Sequence, residues 1–420
     1  MTRPGYKITE IGEIPEEWVT RKFHEILATV KGKPPNTLLD YDESEKLLPY
    51  LSAEYLRGHY EKAKYCFIED DKRITTVDVD DIIVIWDGNA GEFFSGMKGI
   101  LSSTMAKLIF KDERISREFI YYFLKKCEGK LKNTTKGSTI PHLDGNILSN
   151  LDILLPTLQE QQKIAEILTT AEDAIQKVNE QITLTEQLKK GLMQKLLTKG
   201  IGHTKFKKTE IGEIPEEWDV NKISDLKQSM YYGVTAKATE KDTNLRLLRT
   251  TDIENFKFNS ENLPFCEITE KKSDLSKYYL KKDDVIVARA GTVGISVLVK
   301  DDLDNTLFGS YLIKIVFKHE KVDMKFIHYY FQSQLYWNNL SSAQGSTIKN
   351  INLPFLNSLV VPLPNVPEQQ KIAKILNTAD RKLELLRNKK EQAEHMKKGL
   401  MQSLLTGQVR VKINSIKGDN

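Results

Sequence analysis

Thr9–Trp18 reads TEIGEIPEEW, and Thr209–Trp218 reads TEIGEIPEEW again, without one difference. Further matches follow at a longer offset. Gly137–Ile140 (GSTI) returns at Gly345–Ile348, Glu160–Ala165 (EQQKIA) at Glu368–Ala373, and Lys189–Gln194 (KKGLMQ) at Lys397–Gln402. The first match is displaced by 200 residues (9 to 209) and the later ones by 208 (137 to 345). Such a chain is two copies of one unit, which predicts a pseudo-twofold architecture. The eight-residue difference falls between Trp18 and Gly137, where the copies also diverge most. Held borders around a varied interior indicate one scaffold carrying two different surfaces.

At 420 residues the chain has room for roughly two to four domains, each with its own core. A formal net charge of +4 is small, so any nucleic acid would be held by local patches rather than by overall charge. No apolar run approaches the length of a membrane span. The start, MTRPGYKITEIG, has no apolar stretch of the signal-peptide kind. Cys66, Cys127 and Cys266 are far apart and odd in number, as expected of a reduced, cytoplasmic protein without structural disulfides.

Leu158–Leu197 reads as one long helix. Ile164, Leu168, Ala171, Ile175, Val178 and Ile182 are spaced 4, 3, 4, 3, 4, a heptad seam that continues less strictly through Leu188, Leu192 and Leu196. The second copy supplies Ile372, Leu376, Ala379, Leu383, Leu386, Ala393, Leu400 and Leu404. Thr157 with Glu160, and Asn365 with Glu368, have capping-box spacing, and Gly200 and Gly407 supply the stops. Each seam needs a partner: either its own globular domain, or the other helix in the antiparallel pair that the pseudo-twofold favours. Gly191 and Gly399, costly inside a helix, suggest a close backbone contact.

Ahead of each helix the pattern is α/β. Asp81–Ile85 and Asp284–Ala288 read as buried strands, each followed by a G-x-x-G turn at Gly88 and Gly91, or Gly291 and Gly294. Lys107–Phe110 and Lys314–Phe317 read as further strands, and Glu118–Leu124 and Lys325–Phe331 as amphipathic helices. The borders divide the chain into a domain at 1–156, a long helix at 157–198, an exposed basic linker at 199–208, a second domain at 209–364, a second long helix at 365–406 and a tail at 407–420.

This layout resembles the specificity subunits of type I restriction–modification systems. The residues that carry the likeness are EIPEEW in each copy, DDIIVIWDGNAG and DDVIVARAGTVG, KGSTI and QGSTI, LLPTLQEQQKIAEIL and PLPNVPEQQKIAKIL, and KKGLMQKLLT and KKGLMQSLLT. They frame nearly the whole chain; their order and duplication are more specific than any one of them. The resemblance implies an α+β fold: two α/β target-recognition domains separated by two long helices that pair as an antiparallel coiled coil. It also implies a non-catalytic subunit, each of whose domains reads one half of a bipartite site in double-stranded DNA. Two methyltransferase subunits and two restriction (motor–nuclease) subunits would be its partners. S-adenosylmethionine, ATP and Mg would be theirs, with no cofactor bound by this chain. Two other readings stay open: a recognition module of a methylation-only or other defence complex, and a coiled-coil interaction protein without DNA contact.

The residues agree with the absence of an active site. Lys136–Thr139 has the wrong order for a phosphate loop. Lys33-Pro34-Pro35-Asn36 lacks the Asn or Asp before Pro-Pro, and the aromatic after it, that amino-methyltransferases use. Glu270-Lys271-Lys272 is a nuclease-like triplet of a kind common in lysine-rich chains. The seven histidines show no zinc spacing, so no metal is expected.

Duplex recognition needs cations for phosphates and polar forks for base edges. Lys125, Lys126, Lys130, Lys132 and Lys136 enclose only Glu128, a patch that is either a solvated helix face or a phosphate-gripping edge. Ser138 and Thr139, with Ser346, Thr347, Gln344 and Lys349 in the second copy, are candidates at the GSTI motifs. For base reading the varied interior offers Lys31, Lys33, Asn36, Arg57, His59, Asn89 and Lys98 in the first unit. The second offers Tyr231, Tyr232, Lys237, Arg246, Arg249, Arg289 and Thr292. Arg249 and Arg289 are favoured because arginine forks onto guanine O6 and N7. Trp86, which aligns with Arg289, reads as packing, and Trp18 and Trp218 as core anchors.

Overall fold

A computed structural model describes residues 3–33, 35, 37–40, 47–67, 74–135, 141–269, 274–344 and 350–413, with the side chains of 342–344 excepted. The chain divides into two compact units, Met1–Asn179 with Asn388–Asn420, and Glu180–Arg387. Each unit therefore holds one α/β domain, half of the first long helix (Leu158–Lys199) and half of the second (Val366–Leu404).

The repeated decapeptide folds as the end of a hairpin. Tyr6–Thr9 pairs with Gly12–Pro15, and Phe206–Thr209 with Gly212–Pro215. Gly12 and Gly212 close the turns at φ +111° and +108°, a region that favours glycine. A turn from Pro15 and Pro215 then aims Trp18 and Trp218 inward, where both indoles are fully buried. Residues 199–208 carry the helix stop and the hairpin's first strand, with Ile201, Gly202, Thr204, Lys205 and Lys208 exposed. Gly200 is buried there at φ +63°, and His203 is nearly enclosed.

In the first unit, Leu27–Lys31, Met105–Phe110, Ile83–Ile85 and Phe93–Phe94 form an antiparallel sheet in that order. The helix Arg117–Lys132 buries Phe119, Ile120, Phe123 and Leu124 in the core beside it. The second unit repeats this with Lys227–Tyr232, Leu312–Phe317, Val285–Ala288 and Ser296–Leu298, and with the helix Met324–Tyr330. Even the ion pair bracing the central strands recurs, Lys107 to Asp81 at 2.8 Å and Lys314 to Asp284 at 3.1 Å. Each unit adds a more divergent second sheet, four-stranded in the first and five-stranded in the second.

The EQQ of EQQKIA joins domain to helix. Thr157 and Asn365 cap the Glu160 and Glu368 amides as expected. The glutamate side chains do not complete a capping box, because a stronger partner claims each of them. Glu160 accepts from Trp18 Nε1 at 3.0 Å and from Arg410 Nε at 2.6 Å; Glu368 accepts from Trp218 Nε1 at 3.1 Å and from the Ile201 amide at 3.0 Å, with His203 Nε2 2.8 Å away. The next residue, Gln161 or Gln369, takes the amide of Ser116 or Asp323 and donates to Pro156 or Pro364. Both glutamines thereby satisfy backbone groups buried at the joint.

The two long helices pack together, antiparallel. In the first unit Glu172 meets Lys397; in the second Lys189 meets Asp380 at 2.7 Å and Glu186 meets Arg387 at 2.7 Å. Moving each member of the first pair by 208 residues produces the second, so each unit carries its own copy of this polar layer. The helix ends also pack on their own domains. Ile164 and Leu168 share a core with Phe119 and Leu404, and Leu196 and Leu197 share one with Trp218 and Ile372. Both partners considered for the seam are thus real.

The seam, buried or half-buried throughout, runs Ile164, Leu168, Ala171, Ile175, Val178, Ile182, Thr185, Lys189, Leu192, Leu196, with its counterpart 208 residues on. Leu188, expected in it, is 56% exposed, because strict spacing gives the position to Thr185 and Lys189. Thr185 returns its hydroxyl to the Gln181 carbonyl, and Lys189 pairs with Asp380. Gly191 and Gly399 do not make the expected close contact. A Cβ at either would meet open space.

His328 has no counterpart, since Tyr121 stands there in the first unit. Its Nδ1 is shut off from solvent without a hydrogen bond, and burial, reinforced by Lys189, lowers its pKa from 6.5 to about 4. Between those values the unfolded chain takes up a proton that the folded chain refuses. The contribution to stability is therefore complete above 6.5 and declines toward pH 4, by at most about 1.4 kcal/mol per pH unit. As pH falls from 6.5 to 4, the melting temperature of the wild type should drop more than that of His328→Phe. Equal pH dependence in the two would contradict this.

Candidate nucleic-acid interface

In each unit three features converge at one end of the central sheet. The strand Ile83–Ile85 runs into Trp86 and then a turn with Gly88 at φ +91° and Gly91 at +89°. The strand Val285–Ala288 runs into Arg289 and a turn with Gly291 at +80° and Gly294 at +90°. The residues after the GSTI motif tie back to this point. Leu143 donates its amide to the Trp86 carbonyl at 2.8 Å, and Ile351 donates to that of Arg289 at 2.9 Å. In the first unit His142 Nδ1 lies 2.7 Å from Asp87 Oδ1 as well. The glycine turn, the strand end and the residues that follow the GSTI motif therefore form one surface. Asn36, Lys136, Ser138, Thr139, Ser346, Thr347 and Lys349 lie outside the described residues, as does the side chain of Gln344 and the triplet Glu270-Lys271-Lys272.

Most candidate cations of the first unit are already engaged. Glu92 takes Arg57 Nη2 and Lys132 Nζ, each at 2.7 Å, and these two bonds outweigh its burial and hold its carboxyl below the usual range. Asn89, with its amide oxygen turned toward Arg57, joins the same cluster at 2.9 Å. Lys98 pairs with Asp78 at 3.5 Å, and His59 lies 3.6 Å from Glu61. Lys125 bonds Glu128, Lys126 is half-buried, and Lys130 is exposed. Lys33 is exposed, and Lys31 sits with Nζ 5.2 Å from the centre of the Trp86 ring. Trp86 packs against the core, as its reading held.

In the second unit Arg249 is clamped by Asp252 through two bonds of 2.7 and 3.0 Å. Arg246 donates to the carbonyls of Glu261 and Leu263, and so braces a loop. Tyr231 lies under Lys277, and Tyr232 under Arg289, whose Cζ is 4.6 Å from the ring centre. Lys237 and Thr292 are exposed. Tyr311, absent from the sequence-derived candidates, is 65% exposed, and its carbonyl accepts from the Arg289 amide at 2.9 Å. The Gly309–Leu312 turn that presents it gave no periodic signal.

Among the described residues no group of three or more His, Cys, Asp or Glu could hold a metal ion, and no helix is long and apolar enough to cross a membrane.

Comparison with known proteins agrees with this frame. A family model described as "Type I restriction modification DNA specificity domain" matches twice, at residues 15–187 and 215–395. The type I restriction enzyme MjaVIII specificity subunit of Methanocaldococcus jannaschii is 36% identical over 413 residues, covering 95% of this chain and 94% of that protein. The putative MjaX specificity subunit of the same organism is 29% identical, with 97% of each chain covered. The crystal structure of a type I restriction–modification S subunit from M. genitalium superposes with a TM-score of 0.59 at 16% identity, over 99% of this chain and all of that one. The chain belongs to the type I restriction–modification specificity subunit family. It is a non-catalytic recognition component of a type I complex.

Proposed function

We propose that each unit reads one half of an asymmetric, bipartite target in double-stranded DNA, and that the paired helices fix the unread spacer between the halves. One observation carries this reading. The two units repeat the same four-stranded central sheet, yet present unlike residues where the glycine turn and the GSTI flank meet: Lys31 and Trp86 in one, Tyr232 and Arg289 in the other. Helices of 42 and 39 residues reach about 60 Å, more than one DNA turn of about 34–36 Å.

The helix flanks then dock two methyltransferase subunits, and two restriction subunits complete the assembly. Gly191 and Gly399, open on their outer side, and the exposed Leu188 and Met396 recur 208 residues apart, which suits two copies of one partner. S-adenosylmethionine, ATP and Mg are used by those partners, which perform base flipping and transfer. The cytoplasm is the setting, in keeping with three cysteines none of which is in a disulfide.

Methylated adenines mapped genome-wide, with the chain present and deleted, test the reading. A bipartite motif that loses methylation on deletion is the expected result. An unchanged map would overturn it.

A further inference from the structure

Two groups stand out among the candidate cations. Arg57, Lys98, Lys132 and Arg249 have carboxylate partners. Lys31 and Arg289 have none among the described residues; each lies over an aromatic ring instead. A carboxylate neutralises a cation and occupies its donors. A ring face steadies the cation and leaves its outward N–H groups free.

Strand register shows that these two pairs are one structure written in opposite order. In the first unit Lys31 stands opposite Ala106, and Trp86 follows Ile85, which stands opposite Met105. In the second, Tyr232 stands opposite Ile313, and Arg289 follows Ala288, which stands opposite Leu312. Ala106 and Ile313, like Met105 and Leu312, are 207 residues apart. Lys31 therefore occupies the place of Tyr232, and Trp86 the place of Arg289. The cation and the ring have exchanged strands.

The backbone beneath is held equally in both. Gly32 and Gly233 follow the pair, and a Cβ there would lie 2.0 Å from the Ser102 carbonyl oxygen or 2.1 Å from that of Gly309. Only glycine lets the chain pass so close, which fixes where the neighbouring side chain emerges. The other member is fixed by the amide of Leu143 or Ile351. Arg289 Nε reaches Asn350 Oδ1 at 3.3 Å, and the exposed Tyr311 flanks it.

We propose that this transposed cation–aromatic pair is the specificity-determining contact of each unit: Arg289, stacked on Tyr232, reads a guanine in one half-site, and Lys31, over Trp86, reads a guanine in the other from the neighbouring strand position at the same end of the sheet. Guanine is the base whose O6 and N7 accept from arginine or lysine in the major groove. This rests on the proposed reading of DNA by both units.

The test is methylated-adenine mapping in the host, with the chain in its own complex and carrying Arg289→Ala, Arg289→Lys or Lys31→Ala. Arg289→Ala should relax one G·C position of one half-site, lowering discrimination there roughly 10- to 100-fold, the worth of a good bidentate contact. Arg289→Lys keeps the charge over Tyr232 but not the fork, and should recover methylation with only part of the preference. Lys31→Ala should relax a G·C position in the other half. Unchanged preferences in both alanine variants, relaxation of the same half by both, or a uniform loss across all sequences would each overturn the proposal. A wild-type chain that directs no methylation would instead remove the underlying reading.

Discussion

Adding four residues after Asn179 and four after Arg387 should lengthen the unread spacer by one to two base pairs and leave both half-sites unchanged. These positions are 208 residues apart and mark where one compact unit gives way to the other. Insertion there leaves the Glu172–Lys397 layer whole in the first unit, and the Lys189–Asp380 and Glu186–Arg387 pairs whole in the second. Four residues also disturb a 3.5-residue seam little, because a four-residue insertion is a stutter that a helix pair absorbs by local unwinding. The added length is about 6 Å, against about 3.4 Å per base pair. Mapping of methylated adenines reads the spacer directly. A folded, methylating variant with the original spacer would remove the ruler from the mechanism.

Glu160→Ala should cost the first unit about 3 kcal/mol, because the side chain is fully buried and serves two partners at once. Its loss strands the Trp18 indole N–H and the Arg410 guanidinium. Breaking a buried pair in this way costs about 3–5 kcal/mol, and the lower end applies because Arg410 is one-third exposed. Glu160→Gln keeps an acceptor for Trp18 and should lose less. Glu368→Ala is the counterpart in the second unit, where Trp218, His203 and the Ile201 amide are stranded. Denaturant midpoints followed by tryptophan fluorescence measure both. A loss below about 1 kcal/mol would mean that apolar packing alone holds domain to helix.

The parts of the fold legible in the sequence were those fixed by spacing. The seam is legible because apolar residues recur at 4 and 3; Leu188 lies outside it because that spacing falls on Thr185 and Lys189. Thr185 and Lys189 hold the register because one bonds its own backbone and the other has Asp380. The role of the Glu160 side chain is not legible, for a different reason. Its true partners, Trp18 and Arg410, are 142 and 250 residues away, beyond any local pattern.

The candidate interface divides in the same way. Glycine turns and strand ends follow from local sequence, so the convergence at Trp86 and Arg289 was within reach. Which cations are free was not. Glu92 engages Arg57 and Lys132 from 35 and 40 residues away. Arg249 is the exception: its clamp, Asp252, stands three residues on, a spacing at which an ion pair could have been suspected.

The central claim is that the repeated residues are frame and the varied interior is information. It is tested most directly by replacing residues 19–136 with the matching interior of another family member and mapping methylated adenines. The account predicts a new sequence in one half of the target, with the spacer and the other half retained. A change in both halves would contradict it.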